Sequence, residues 1–168
     1  MIPTDGRASA LAVTDEPIRV LIVDDHDHVL WGLRKLIQGE SPRMALAGAA
    51  RSIEDGRQLL ASKQIDVALL DVMLGDDDGL ELLPDLHKSN VAVVVLTDSR
   101  NTEVHRRALD RGAYSIVLKD EPASVLLHEI ERAHEWRRSP RPEAAREQDC
   151  HLAVKARIAG FLLSTTRR

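Results

Sequence analysis

Five side chains able to do chemistry stand at matching places in this sequence. Asp24 and Asp25 follow the β-branched run Ile18-Arg19-Val20-Leu21-Ile22-Val23, and Asp71 follows Val67-Ala68-Leu69-Leu70. Thr97 follows the apolar run 91–96, and Lys119 follows the run 115–118. Three carboxylates drawn to one place repel one another unless a cation neutralises them or some are protonated. Oxygen ligands of this kind suit Mg²⁺, which keeps several waters and commonly bridges carboxylates to a phosphoryl group. A carboxylate can also act as a nucleophile and form an aspartyl phosphate. Phosphoryl transfer asks mainly for positioning and charge neutralisation around the moving group. Lys119 can supply a second cation, and the Thr97 hydroxyl can donate a hydrogen bond to a phosphoryl oxygen.

Singly, each residue has an ordinary alternative. Asp24-Asp25 is compatible with a strand-end turn, Asp71 with a helix cap, Thr97 with a turn hydroxyl and Lys119 with a solvated surface charge. The joint pattern is more specific, because each group sits after its own strand-like run.

The elements that must position them follow from periodicity. Val29, Leu30, Leu33, Leu36 and Ile37 recur at helical spacing, with Gly39 as a stop. A weaker strand covers 44–50, and Ser52 caps a helix carrying Ile53, Leu59 and Leu60. An Asp- and Gly-rich loop follows Asp71, then a helix with Leu80, Leu83 and Leu86 whose Pro84 falls near the first turn. The uninterrupted run 91–96 predicts a central strand covered on both faces. Val104, Ala108 and Leu109 mark a helix closed by Gly112, and Pro122 opens a last helix with Val125, Leu126, Ile130 and Ala133. Five strands alternating with five helices predict a doubly wound α/β domain with a five-stranded parallel sheet and right-handed crossovers. Ligands of such sheets bind at the carboxyl ends of the strands, where all five side chains fall.

Composition agrees. The 168 residues suit one domain with extended ends. Two Trp, one Tyr and one Phe leave the core to Leu, Val, Ile and Ala. A formal net charge of −4 does not point to nucleic acid as the main partner. Cys150, the single cysteine, can form no internal disulfide, which favours a reducing cytoplasm. No apolar stretch approaches the ~20 residues needed to span a bilayer, and no signal peptide is evident.

With these motifs in place, the chain resembles the receiver domain of two-component response regulators over about 18–137. The likeness rests on Val23-Asp24-Asp25-His26, Leu70-Asp71, Gly79-Leu80-Glu81-Leu82-Leu83, Leu96-Thr97, Gly112-Ala113 and Leu118-Lys119-Asp120. His26 and the Lys119-Asp120 ending are similar to receivers that usually precede a LuxR-type helix-turn-helix domain. The resemblance implies a CheY-like, flavodoxin-like strand order of 2-1-3-4-5. It implies that Asp71 receives phosphate from a histidine kinase or phosphotransfer protein. It further implies that Asp24, Asp25, Asp71 and the Met73 main-chain carbonyl bind Mg²⁺, and that Thr97 and Lys119 contact the phosphoryl group. Catalysis would be limited to the domain's own phosphorylation and dephosphorylation.

Several positions depart from that pattern. Asp98 stands where a small residue usually follows the switch Thr. Ile116 replaces an aromatic reporter, and Tyr114, two residues away, would share its face in a regular strand. Gly75 and Asp120 each stand where proline is common. A cis bond before Asp120 would cost about 3–4 kcal/mol, so a trans bond is expected. Asp25, His26, Asp27 and His28 raise the thought of a transition-metal site, but a surface helix start is the preferred reading of both histidines.

Beyond this region, residues 1–17 read as a loose leader and 138–168 as a Pro- and Arg-rich linker with one short helix. Val154, Ile158, Phe161 and Leu162 would lie on one face of it. One helix cannot make a helix-turn-helix fold, so DNA binding is not expected. It could dock or dimerise, which leaves a homodimer open, or be the remnant of an output domain. The leading expectation is a stand-alone phosphorylation-dependent switch working through protein contacts. The alternatives are a phosphate-independent interaction module and, last, a small phosphoester hydrolase using Asp71.

Overall fold

The computed structural model describes residues 16–139. Most of the expected leader, Cys150 and the expected C-terminal helix lie outside the described residues. Strands β1 (Ile18–Val23), β2 (Met44–Ala50), β3 (Val67–Asp71), β6 (Ala92–Thr97) and β7 (Ser115–Leu118) form one sheet, in the order β2-β1-β3-β6-β7. All four pairings are parallel. Setting aside a two-residue ribbon, β4 (Met73–Leu74) with β5 (Asp77–Asp78), this is the expected 2-1-3-4-5 order.

Helices cover both faces, which is why the central strands are almost wholly apolar. On one face α1 (Asp27–Gly39) and α5 (Ala123–Arg138) lay Leu30, Ile37, Leu126, Ile130 and Ala133 against Val20, Ile22, Leu69, Val94 and Leu96. On the other, α2 (Ile53–Ser62), α3 (Leu83–Lys88) and α4 (Thr102–Asp110) pack Ile53, Leu83, Leu86, Ala108 and Leu109 against Leu21, Val23, Ala68, Leu70, Val93 and Val95. Alternate strand residues thus serve opposite cores, as a period of two requires.

The local stops are those the sequence predicts. Ser52 accepts from the Asp55 N–H at 3.1 Å at the start of α2. Pro84 falls in the first turn of α3, and Pro122 precedes α5. Gly112, past α4, takes φ +95°, a conformation that a side chain would resist. Leu80 and Leu82 belong to a 3₁₀ turn, Gly79–Leu82, that leads into α3. Lys119–Asp120 is trans as expected, the one cis peptide among the described residues being Ser41–Pro42.

Tyr114 and Ile116 do not share a face. The regular strand begins at Ser115, after the turn at Gly112. Tyr114 therefore packs on the α1–α5 side, its ring centroid 5.4 Å from that of Trp136, while Ile116 packs on the α4 side.

β1 begins and α5 ends at the amino edge of the sheet, where Arg19 and Arg137 both bond to Asp66. The carboxyl edge carries the side chains of interest.

Candidate functional site: an acidic pocket at the carboxyl edge

Parallel pairing of β1 with β3 sets Val23 beside Leu70, so the residues that follow them, Asp24 and Asp71, emerge together. Both are buried, Asp24 completely. Asp25, one residue on, is half-buried. One ligand atom from each of Asp24, Asp25, His26 and Asp71 lies within 4.8 Å of the others.

Lys119 enters from the end of β7. Its backbone N–H donates to the Thr97 carbonyl at 3.0 Å, anchoring the turn. Its ammonium lies 2.6 Å from Asp71 Oδ2 and 2.8 Å from Asp24 Oδ2, and is itself largely buried. Burial would lower the Lys119 pKa, but hydrogen bonds to Asp24 and Asp71 outweigh it and hold the group above its ordinary value. Asp71 moves the other way from most paired carboxylates. Burial pushes its pKa up, and neither Lys119 nor the Met73 N–H fully offsets that, with Asp24 adding repulsion.

Three carboxylates can carry three negative charges, and Lys119 brings one positive. The remainder of two matches a divalent cation. Asp25 Oδ1 is buried and accepts no hydrogen bond, although His26 Nδ1 lies 3.0 Å away. The three carboxylates, as hard oxygen donors, fit Mg²⁺.

Thr97 closes β6, next to β3, and is buried. Its Oγ1 accepts from the Ser99 N–H at 3.1 Å, leaving the hydroxyl free to donate elsewhere. Met73 lies just past Asp71 and gives its N–H to Asp71 Oδ1 at 3.3 Å. Asp98 is exposed at the rim. Gly75, at φ +62°, turns its N–H onto Asp25 Oδ2 at 3.0 Å, so the ribbon folds back over the pocket. Gly79 lies under it, where a β-carbon would come 2.0 Å from the Asp71 carbonyl oxygen.

The structure thus brings Asp24, Asp25, Asp71 and Lys119 together and sets Thr97 one strand away. It also adds a residue not expected there. His26, read from the sequence as a surface side chain, keeps half of it exposed but turns Nδ1 to 3.1 Å from Asp24 Oδ1 and 3.0 Å from Asp25 Oδ1. Its backbone N–H donates to Asp24 Oδ1 at 2.8 Å, and this tight turn aims the ring inward. His28 stays outside the group, its ring edge-on to that of His26. A position one residue past two aspartates was the available signal.

Among the described residues no helix is long and apolar enough to cross a membrane. Residues 20–131 match the response regulator receiver domain. The nitrate/nitrite response regulator protein NarL of Escherichia coli K12 is 33% identical over 120 residues, covering 70% of this chain and 55% of that protein. The DNA-binding transcriptional activator DevR/DosR of Mycobacterium tuberculosis is 34% identical over 105 residues, 61% of this chain and 48% of its own. This chain therefore spans about half the length of these curated relatives. A CheY-like response regulator receiver domain protein from Methanospirillum hungatei JF-1 matches in structure with a TM-score of 0.65 at 25% identity, over 72% of this chain and 96% of its own. With the strand order, the acidic pocket and a match over most of the described residues, the chain belongs to the response regulator receiver family.

Proposed function

We propose that this receiver accepts a phosphoryl group on Asp71 from a phosphohistidine of a sensor kinase or phosphotransfer protein, and signals through protein contacts. The observation that carries this reading is the Lys119 ammonium held between Asp71 and Asp24 in a pocket with two charges still to be balanced.

In the step itself an Asp71 carboxylate oxygen attacks phosphorus, the P–N bond breaks, and the electron pair leaves with the donor imidazole. Asp24, Asp25, Asp71 and the Met73 carbonyl would hold Mg²⁺, which when bound neutralises charge on the phosphoryl oxygens. Lys119 leaves its ion pair with Asp71 to meet the incoming oxygens, and the Thr97 hydroxyl donates to another. Because burial disfavours the Asp71 anion, converting it to an acyl phosphate whose charge is met by fixed cations relieves an unfavourable state. The domain spans about 18–137, and turns over nothing but its own phosphoryl group.

Ile116 favours a second reading, a module that binds partners without phosphate. It is packed into the α4-side core, so the inward-swinging aromatic that the family resemblance implies has no counterpart there.

Intact mass after incubation with acetyl phosphate and Mg²⁺ tests the choice. One added phosphoryl group that requires Mg²⁺ and disappears in Asp71→Asn supports the switch. A folded protein that gains no mass at any Mg²⁺ concentration supports the module.

A further inference from the structure

We infer that His26 is a direct ligand in this pocket, making the site one for borderline divalent cations such as Mn²⁺ in preference to Mg²⁺. This rests on the reading of the pocket as a metal site.

Ligands adjacent on an octahedral ion with bonds of about 2.1 Å stand about 3.0 Å apart, and opposite ligands about 4.2 Å apart. His26 Nδ1 lies 3.1 Å from Asp24 Oδ1 and 3.0 Å from Asp25 Oδ1, the separation of neighbours. It lies 4.0 Å from Asp71 Oδ2, close to the separation across the ion. The contact with Asp25 is not a hydrogen bond, since Asp25 Oδ1 is buried and accepts none. Asp24 is fully buried, and its Oδ2 faces the Lys119 ammonium at 2.8 Å. His26 Nδ1 hydrogen-bonds with Asp24 Oδ1, while Asp25 Oδ1, just as near, is buried without a hydrogen bond and is placed to share a third body with the imidazole.

The main-chain turn supports the arrangement. The His26 N–H donates to Asp24 Oδ1 at 2.8 Å, and the His28 ring stands edge-on to the imidazole, with centroids 5.7 Å apart. A neutral imidazole adds a nitrogen donor to an oxygen set. That donor suits first-row transition metals and adds little for Mg²⁺, which prefers oxygen and holds its waters.

The test uses the full chain freed of metal and two probes, Mn²⁺ and Mg²⁺, with wild type, His26→Ala and Asp71→Asn. Pulsed electron paramagnetic resonance of bound Mn²⁺ reads nitrogen coupling directly, and competition reads the relative affinities. The expected result is imidazole nitrogen coupling in wild type that is lost in His26→Ala. Mn²⁺ affinity should fall on the order of tenfold or more, as losing a ligand should cost at least what losing its support does, with Mg²⁺ affinity little changed. Nitrogen coupling that survives His26→Ala, or an unchanged preference for Mn²⁺, would overturn the role of His26 while leaving the metal site standing. No binding of either ion, or binding indifferent to Asp71→Asn, would overturn the metal reading beneath it.

Discussion

Arg137, in the last turn of α5, donates to Asp66 Oδ1 at 2.5 Å, and so ties that helix to the residue just before β3. The same carboxylate accepts from the Arg19 backbone N–H and from its guanidinium, at 2.9 and 2.8 Å on Oδ2. Asp66 is buried, and burial alone would raise its pKa. The Arg19 hydrogen bonds and the nearby Arg137 charge outweigh that and hold it below its ordinary value of 3.8.

Asp66→Ala should therefore destabilise the fold by roughly 2–4 kcal/mol at neutral pH, just short of the usual cost of breaking a buried pair because Arg19 keeps some solvent. A depressed carboxylate pKa contributes stability that is complete above its unfolded value and lost as pH falls through its folded one. The gap between wild type and variant should thus be constant above about pH 5 and narrow progressively as the pH falls past 3.8. Urea unfolding followed by the fluorescence of Trp136, which packs against Tyr114, checks both statements.

Asp71→Asn should have the opposite sign. A carboxylate whose folded pKa is raised binds its proton more tightly folded than unfolded, so stability declines as pH rises from 3.8 through the folded pKa. Without metal, the variant should unfold at a higher temperature than wild type at pH 7, with the difference closing in acid. Mg²⁺ at a hundred times its Kd should add about 2.7 kcal/mol to wild type and much less to the variant. A scan of Tm against pH and Mg²⁺ would show an unstabilised variant at once if the pocket carries no such load.

Two glycines of one loop should respond differently. Gly79→Ala places a β-carbon against the Asp71 carbonyl and has no flexible neighbour to displace. A cost of about 1–3 kcal/mol is expected, with slower phosphorylation because the Asp71 backbone must shift. At Gly75 the space is open and only the positive φ opposes alanine, for about 1–2 kcal/mol. Paired denaturation and phosphorylation rates separate the two, since Gly75→Ala should affect stability more than its local geometry around Asp71.

Asp78 links the pocket loop to α4. It caps the 3₁₀ turn through the Leu80 N–H at 3.2 Å and lies 3.2 Å from Arg111 and 3.5 Å from Arg107. Asp78→Ala should cost about 1 kcal/mol for the lost cap and speed amide exchange at the end of α4. Unchanged exchange in α4 would mean that the loop and helix move independently.

Much of this was legible beforehand because buried parallel strands leave a plain trace. Runs such as 67–70 and 91–96 are apolar on both faces, and each ends at a polar residue that the sheet then carries to a common edge. Asp24, Asp71 and Lys119 meet for that reason. The place of His26 beside two aspartates was legible, but not its inward turn, which depends on a hydrogen bond from its own backbone to a side chain two residues back. The ribbon of 73–78 and the 3₁₀ turn at 79–82 were likewise hidden. Aspartate and glycine signal a loop without saying that it will fold over Asp25. Tyr114 was misplaced because period-two reasoning was carried one residue past the regular strand.

The Asp66 junction at the amino edge has a further consequence for how news of the pocket can travel. Six residues of β1, at about 3.3 Å each, put some 20 Å of rigid sheet between that junction and Asp24. The described residues thus begin and end at the edge away from Asp71. A change at Asp71 that reaches this edge through the described residues can travel along α5 and β3, which meet at the Arg137–Asp66 bond.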